Sequence, residues 1–449
     1  MSLVRVRSLL VTVLGMIAAI QASYASALGL MEAYEAALQN DANYRAAYFD
    51  NQAGQQFKEI GRSNLLPNVS ANYTVNRNNA DVTTERFSTE TTEHRSYKSE
   101  VGSIQLRQPL LNLDGMARYR QGIAQTKYSD AQFAARKQEL MVRLVGVYAS
   151  AKYAEDQLAL AVAQRDAFAE QRKANDRMFA KGEGTKTDML ETQARFDLAE
   201  TQVLEANDNV TNARNALVAM VGMEITTLDS LAEGFRVQAM QPESFEEWKA
   251  IALAQNPEII ALRYTVESAK QEVNKNRAGH APRLDAIASV VHNSSDTTST
   301  FNQTSDTRSL GLQLTIPIYS GGSVTALTSQ AISNHEKAQA ELDGRISQVL
   351  IELRKQYNLT LSSRLRIDAL VKSVDSGEVL VVATKKSVSG GIRTNFNVLD
   401  AQQQLFEAKR DLALARYSYL LSYLRLRSAA GTATVADLQN IASYFVTVR

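Results

Sequence analysis

The sequence predicts a mixed α and β protein in which one duplicated unit combines long coiled-coil helices with a few amphipathic strands. Three observations predict this class. The 449 residues include only 6 Pro and 21 Gly, a proline motif recurs 208 residues further along, and short segments of period-two alternation precede long helical segments. Because Pro and Gly interrupt helices, their scarcity favours long helices over several small globular domains.

The composition excludes several classes of function. With 49 Lys and Arg against 48 Asp and Glu, the net charge gives no support to nucleic-acid binding, which needs a clustered basic face. The chain has 0 Cys, so it holds no disulfide, no thiolate zinc site, no Cys nucleophile and no lipid-modified cysteine. The 4 His lack metal-ligand spacing, and nucleotide-binding and hydrolase motifs are absent from the sequence. We therefore predict no enzyme activity, no catalytic or metal site and no cofactor.

Residues 1–27 have the pattern of a secretory signal peptide. Arg5 and Arg7 precede the apolar run 9–20, and Ala25 and Ala27 end the segment in an A-x-A cleavage pattern. An uncleaved membrane anchor is the alternative interpretation. After residue 27 there is no run of about 18 apolar residues, so any membrane-spanning part is expected to consist of strands.

The remainder of the chain is a tandem duplication. The segment 108–112 corresponds to 316–320, which places Pro109 and Pro317 at matching positions 208 residues apart. Gly222 corresponds in the same way to Gly431, at a spacing of 209. The predicted organisation is a first repeat at 28–222, a linker at 223–244, a second repeat at 245–431 and a C-terminal segment at 432–449.

Each repeat is predicted to contain two strands. In the second repeat, Leu310, Leu312, Leu314 and Ile316 alternate with small or polar residues, which is the pattern of a strand with one apolar and one polar face. Pro109 and Pro317 are expected to end strands, because proline lacks the N–H that a sheet requires. The strands are placed at about 67–76, 97–109, 283–292 and 309–317. The segments between paired strands, 77–96 and 293–308, are interpreted as polar loops.

Long helices account for most of the rest. Leu140, Leu144, Val147 and Ala151 follow heptad spacing, which is typical of coiled coils. A helix of 68 residues from 114 to 181 would be about 100 Å long, too long for a compact domain. The predicted helices are 30–63, 114–181, 187–221, 245–277, 323–389 and 395–430.

Four strands per chain are too few to close a barrel. An open sheet edge in lipid would leave unpaired backbone groups at a cost of several kcal/mol each. Membrane-spanning strands would therefore require several chains to share one barrel, with polar residues such as Ser70, Asn72 and Gln313 facing a wet lumen. The alternative is a soluble helical protein with a small sheet.

The run 391–402, continued by Ala408, Leu412, Tyr417 and Gly431, resembles the signature of the TolC family of outer-membrane channel proteins. The resemblance implies a homotrimer in which each chain gives four β-strands to a shared 12-stranded outer-membrane β-barrel. A long periplasmic α-helical coiled-coil barrel continues that barrel in this family. The duplicated architecture extends the resemblance over almost the whole chain after the leader.

The same resemblance implies partners and a function. Family members are passive conduits that dock onto a periplasmic adaptor (membrane fusion) protein and an inner-membrane transporter. The region 391–402 is most similar to members that work with ABC transporters in type I protein secretion. An outer-membrane component of multidrug efflux and a periplasmic coiled-coil structural protein without a pore are the two alternatives. The exported molecule is a protein or a small molecule, and the lipid partner is the outer membrane.

The two helix breaks, 181–188 and 389–397, are predicted to meet at one end of the tunnel and form its gate. Glycine permits tight turns there, and the candidate turn residues are Gly182, Gly184, Gly390 and Gly391. The resemblance places Asp400 on a ring aspartate, Arg393 on a linking arginine, and Thr187 and Asp188 on its partners. Asn397 stands where a second ring aspartate is expected. The prediction is a gate with one acidic ring, which attracts cations; the alternative is that Asp400 is an ordinary surface carboxylate.

Overall fold

The computed structural model describes residues 27–87, 89–232, 235–237, 240–296, 302–390 and 392–446. The predicted leader, apart from Ala27, lies outside the described residues, as does Gly391. The first half contains α1 (Leu30–Asn40), α2 (Ala42–Gly54), α3 (Gln56–Ser63), β1 (Asn68–Arg86), β2 (Thr89–Leu111), α4 (Leu113–Ala180) and α5 (Lys186–Val221). The second half contains β3 (Ser230–Leu231), α6 (Phe245–Gln255), α7 (Pro257–Arg277), β4 (Arg283–Ser295), β5 (Gln303–Thr315), α8 (Ser323–Ser389), α9 (Asn395–Ala429), α10 (Val435–Ala442) and β6 (Phe445–Val446).

Two helices that the sequence predicts as continuous are broken. The predicted helix 30–63 is divided into α1, α2 and α3, because Asp41 is extended and its carboxylate caps α2 by accepting a 2.8 Å hydrogen bond from the Tyr44 N–H. The predicted helix 245–277 breaks at Asn256, which is also extended. A residue before proline is driven out of the helical region, and Pro257 follows Asn256 directly.

The described residues divide into two compact units. One consists of the described parts of Met1–Tyr48, Ala134–Pro257 and Ile346–Arg449, and the other consists of Phe49–Phe133 and Glu258–Arg345. No helix in the described ranges combines the length and the apolarity needed to cross a membrane.

The second of these units contains a four-stranded antiparallel sheet in the order β1-β2-β4-β5. The hairpins of the two repeats meet where Ile104 pairs with Val290. One face of the sheet is apolar and exposed, and it carries Val69, Tyr73, Ile104, Val290, Leu310, Leu312 and Leu314. The other face is polar and carries Ser70, Asn72, Ser103, Gln105, Ser289 and Gln313. The sheet therefore has the two-sided character predicted for membrane strands with a wet side.

The prediction of polar loops at 77–96 and 293–308 is wrong for most of these residues. The β1–β2 ladder continues to Arg86, which pairs with Thr89, and the β4–β5 ladder continues until Ser295 pairs with Gln303. Alternating hydrophobicity cannot reveal such extensions, because both faces are polar there while backbone hydrogen bonds still hold the strands together. Residues 297–301 of the second predicted loop lie outside the described residues.

The two prolines predicted to end strands occupy different places. Pro317 lies two residues beyond the end of β5. Pro109 lies inside β2, where it pairs with Asp285, and the register shifts between Pro109 and Leu111. Since proline is tolerated in a sheet at an irregularity, Pro109 coincides with a bulge and the strand ends two residues later.

The core of the other unit lies among α1, α4, α5, α9 and the chain's C-terminal segment. Of the predicted seam positions on α4, Leu140, Leu144 and Ala151 are buried. Ala199 and Leu217 on α5 and Ala415 and Leu426 on α9 are buried as well. The predicted linker and C-terminal segment are joined by the pairing of Leu231 with Phe445. Trp248 is fully buried, and its indole N–H donates a 2.8 Å hydrogen bond to the Pro242 carbonyl.

Candidate functional site

The first helix break is closed by a capping box. Gly182 has a φ of +77°, which suits the left-handed turn that follows α4. Thr185 caps α5: its Oγ1 accepts a 3.1 Å hydrogen bond from the Asp188 N–H and donates a 2.6 Å hydrogen bond to Asp188 Oδ2. The carboxylate of Asp188 therefore already has a partner within its own chain, while the neighbouring Thr187 is exposed.

The second helix break repeats this arrangement 209 residues later, with Asn397 in the place of Asp188. Thr394 precedes α9, and its backbone N–H and its hydroxyl donate hydrogen bonds of 3.2 and 3.1 Å to Asn397 Oδ1. An amide oxygen can accept the hydrogen bonds of a capping box without carrying a charge. The departure from the expected second ring aspartate thus retains the cap and removes a negative charge.

A buried polar network joins the beginnings of α5 and α9 to the end of α4. Thr192 is fully buried and Asn175 and Asn395 are nearly so. Thr192 Oγ1 accepts a 2.7 Å hydrogen bond from Asn175 Nδ2 and a 3.1 Å hydrogen bond from Asn395 Nδ2, and it donates one of 2.8 Å to the Asp188 carbonyl. Gln171 Nε2 donates a 2.7 Å hydrogen bond to Asn395 Oδ1. The two helix breaks, one from each repeat, are therefore brought together as predicted.

The remaining predicted gate residues lie around this network. Asp400 is half-buried on α9, where its Oδ2 accepts a 2.9 Å hydrogen bond from Gln404 Nε2. Arg393 is exposed in the turn. Neither Gly184 nor Gly390 has a left-handed φ, so among the described turn glycines Gly182 alone requires the freedom of glycine.

The exposed charge around the two helix breaks is mainly basic. Residues 173–188 and 385–393 contain seven basic and three acidic side chains. The basic residues are all exposed, and they are Lys173, Arg177, Lys181, Lys186, Lys385, Lys386 and Arg393. Lys173 is paired with Glu170, which lies just before this range, at 2.9 Å. One of the three acids, Asp188, is engaged in its capping box. We call this surface the basic tip.

A second network, which the sequence reasoning missed, links α4 and α9 further along. Lys152 lies 3.2 Å from Glu155 Oε2 and 3.3 Å from Asp156 Oδ1, and the Tyr417 hydroxyl donates a 2.6 Å hydrogen bond to Asp156 Oδ2. Burial and the neighbouring Asp156 carboxylate raise the pKa of Tyr417 above its usual value. Lys152 is spaced i, i+3 from Glu155 and i, i+4 from Asp156, which indicates a charged stripe along one helix face. No pattern in the sequence indicates the contact with Tyr417 on α9.

Comparison with known proteins places this architecture in one class, that of outer-membrane channel-tunnels. A solved membrane protein from Pseudomonas aeruginosa superposes with a TM-score of 0.78 at 21% identity, covering 90% of each chain. The model of the outer membrane efflux protein family matches residues 33–223 and 248–432, a division that parallels the two repeats. The chain belongs to this family.

Three relatives show which members of the family the chain is similar to. The chain is 42% identical to the alkaline protease secretion protein AprF of Pseudomonas aeruginosa, over 94% of this chain and 88% of the relative. It is 38% identical to the proteases secretion protein PrtF of Dickeya chrysanthemi, over 94% and 92%, and 28% identical to the outer membrane protein TolC of Vibrio cholerae, over 92% of each. The TolC-family resemblance, the outer-membrane location and the role as an export channel are confirmed, and members of this family are channels rather than enzymes.

Proposed function

We propose that this chain forms the outer-membrane conduit of a type I protein-secretion system and that its cargo is a secreted protease. The observation that carries the proposal is the 42% and 38% identity to two proteins named for protease secretion, each over 94% of the chain. Energy would come from an inner-membrane ABC transporter, reached through a periplasmic adaptor protein, since the sequence contains no nucleotide-binding motif.

The proposed conduit is a homotrimer. The four-stranded sheet has two outer strands, β1 and β5, and a strand edge exposed to lipid is costly. Three copies placed edge to edge would supply twelve strands and close the barrel. Large apolar side chains that are exposed along α8 in one copy also support this assembly, because a neighbouring copy would cover them; they include Ile351, Leu361, Leu365, Val379 and Val382.

The proposed gate lies at the helix breaks. In the trimer, Arg393 of one copy would meet Thr187 and Asp188 of the next, and Asp400 would repeat around the axis as a single acidic ring. Exposure of Arg393 and Thr187 leaves both accessible to a second copy. The uncharged Asn397 would make this gate less acidic than one with two aspartate rings.

The proposed site for the adaptor is the basic tip. Seven exposed cations in each copy favour a partner with acidic groups on its docking end. Contacts between surface charges are screened by salt, with a Debye length of about 8 Å at physiological ionic strength. Binding of the adaptor should therefore weaken as the salt concentration rises.

Deletion of the gene in its host tests the proposed function. The expected result is that protease activity disappears from the medium and returns when the unmodified gene is supplied again. Normal secretion combined with increased sensitivity to small toxic molecules would instead indicate multidrug efflux. A monomer that is extracted without detergent would eliminate the conduit and favour the coiled-coil protein without a pore.

A further inference from the structure

The polar face of the sheet carries one charged cluster close to the point where the strands connect to the helices. Arg107 on β2 and Arg283 on β4 both bind Asp285, which is fully buried. The distances are 3.1 and 2.6 Å from Arg107 Nε and one terminal nitrogen to Asp285 Oδ2, and 3.2 Å from Arg283 Nε to Asp285 Oδ1. Arg107 thus makes two hydrogen bonds to one carboxylate oxygen, and hydrogen bonds between charged groups are stronger than those between neutral ones.

This cluster is not charge-neutral. It contains two guanidinium groups and one carboxylate, so each copy carries one excess positive charge. The carboxylate is fully covered, whereas the side chains of Arg107 and Arg283 remain 44% and 38% exposed. The surface that a passing ion or chain would meet is therefore formed by arginine.

The rest of this face makes the cluster stand out. Arg107 pairs with Ile287, and residues two apart on a strand share a face, so the cluster lies on the side opposite the exposed apolar residues. From Arg107 along β2 as far as Ser99, and across the paired residues of the described strands, the same face holds no other charged side chain. Further out, Arg95 and Glu93 share this face and pair with each other at 2.6 Å, and Arg86 lies on it at the far end of β1.

We infer that Arg107 and Arg283 form a cationic collar at the base of the barrel lumen and that this collar favours the passage of anions. The inference rests on the proposed trimer, in which the polar face lines the lumen and three copies of the cluster surround the axis. Rings of arginine or lysine select anions in other pores, and a low-dielectric wall focuses the field of fixed charges into the channel. The collar would oppose the cation preference of the Asp400 ring at the gate.

The test measures the zero-current potential of purified trimers in planar bilayers under a KCl gradient. In Asp285→Asn the excess charge of each copy rises from one to two, and the amide oxygen can still accept from arginine, so selectivity should shift towards chloride. In the triple variant Arg107→Gln, Asp285→Asn, Arg283→Gln the cluster becomes neutral, and selectivity should shift towards potassium. Both shifts should be larger at low salt than at high salt.

Matched controls separate charge from packing. The variant Arg107→Lys, Arg283→Lys keeps the charge but loses the two-pronged hydrogen bonds, and it should leave selectivity unchanged. Neutralising the distant pair with Glu93→Gln, Arg95→Gln should also change nothing. A heat-sensitive trimer band on a gel confirms that each variant assembles.

The outcomes are distinct. Opposite shifts in the single and triple variants support the collar. Shifts in the same direction, or none in either assembled variant, overturn it while leaving the conduit in place. If the unmodified protein forms no channels at all, the proposed function fails and the collar fails with it.

Discussion

Asn395 at the start of α9 donates a 3.1 Å hydrogen bond to Thr192 Oγ1 on α5, although the two residues are 203 positions apart. Thr192 is fully buried and 7% of Asn395 is exposed. A hydrogen bond between neutral side chains in such a setting resists rearrangement, because breaking it leaves a buried polar group without a partner. The bond therefore ties the two repeats together inside one copy, directly beside the proposed gate.

Loss of this bond should loosen the tip. We expect Asn395→Ala to destabilise the packing of α9 on α5 by about 1–3 kcal/mol, because it removes two hydrogen bonds that each contribute about 0.5–1.5 kcal/mol. Amide hydrogen exchange of residues 186–200 measures the effect as reduced protection. Gln404→Ala is the matched control, since it removes a bond to Asp400 at the surface of the same helix. Equal loss of protection in both variants would contradict a special role for the buried network.

Two substitutions at Asp188 should separate capping from gating. Asp188→Asn copies the arrangement of Asn397, so it should keep the cap of α5 while removing a charge. Asp188→Ala should lose both and cost about 1 kcal/mol of helix stability. If Asp188 forms a charged link to Arg393 of a neighbouring copy, both variants raise the single-channel conductance. A conductance increase in Asp188→Ala alone would show that the residue acts through the cap.

Arg393→Ala should raise single-channel conductance in the same assay. The arginine is exposed and lies outside the buried network, so its loss should act on contacts between copies rather than on the fold of one chain. Exposed Lys386, also on the basic tip, provides the control substitution Lys386→Ala. Unchanged conductance in both Arg393→Ala and Asp188→Asn would exclude the proposed link.

Asn397→Asp should add a second acidic ring to the gate. The capping hydrogen bonds from Thr394 can be retained because a carboxylate oxygen accepts them as an amide oxygen does. Three more negative charges near the axis should then increase potassium over chloride permeability. The reciprocal change Asp400→Asn should reduce it, and failure of both to alter the zero-current potential would place these residues away from the pore.

High pH should destabilise the core around α9. Burial raises the pKa of Tyr148 and Tyr417 above the usual 10, and raises that of Tyr419 to about 12. Between pH 10 and these higher values the unfolded chain loses tyrosine protons that the folded chain keeps, so stability falls as pH rises. Urea unfolding at pH 8 and pH 11, followed by the fluorescence of the single Trp, measures this loss.

The control for this pH effect is a pair of Tyr→Phe variants. Tyr417→Phe should reduce the difference between the two pH values, because one of the titrating groups is gone. The more exposed Tyr128 has 37% of its surface accessible, and Tyr128→Phe should leave the difference unchanged. An equal midpoint at pH 8 and pH 11 in the unmodified protein would contradict the assignment.

Much of the architecture could be predicted from sequence because it rests on periodic patterns. The spacing of 209 residues relates Gly222 to Gly431, and the same spacing relates Thr185 and Asp188 to the residues of the second capping box. Heptad positions such as Leu140 and Leu144 are buried as expected. These features depend on residues that are close in sequence or repeated at a constant offset, so a single chain read from end to end reveals them.

The helix breaks and the long hairpins were harder to predict. Asp41 ends α1, and its carboxylate caps α2 by accepting a hydrogen bond from the Tyr44 N–H. The surrounding residues follow a helical pattern, so this break is difficult to predict. Between Asn76 and Arg86 the only apolar residues of β1 are Ala80 and Val82. The hydrophobic pattern therefore gives no clear strand signal there, although the backbone ladder continues. At these positions the local sequence is compatible with more than one structure, and hydrogen bonding to a partner decides which one forms.

The sequence by itself determined the duplication, the two-faced strands, the long helices and the family. Only the tertiary structure decided which polar residues meet: Asn395 with Thr192, Tyr417 with Asp156, and Arg107 with Asp285, which are separated by 203, 261 and 178 positions. The reason is physical. Buried hydrophobic residues recur at regular intervals along the chain, so the sequence shows them. A hydrogen bond or ion pair between distant segments depends on how those segments align, and the residues next to either partner do not indicate it.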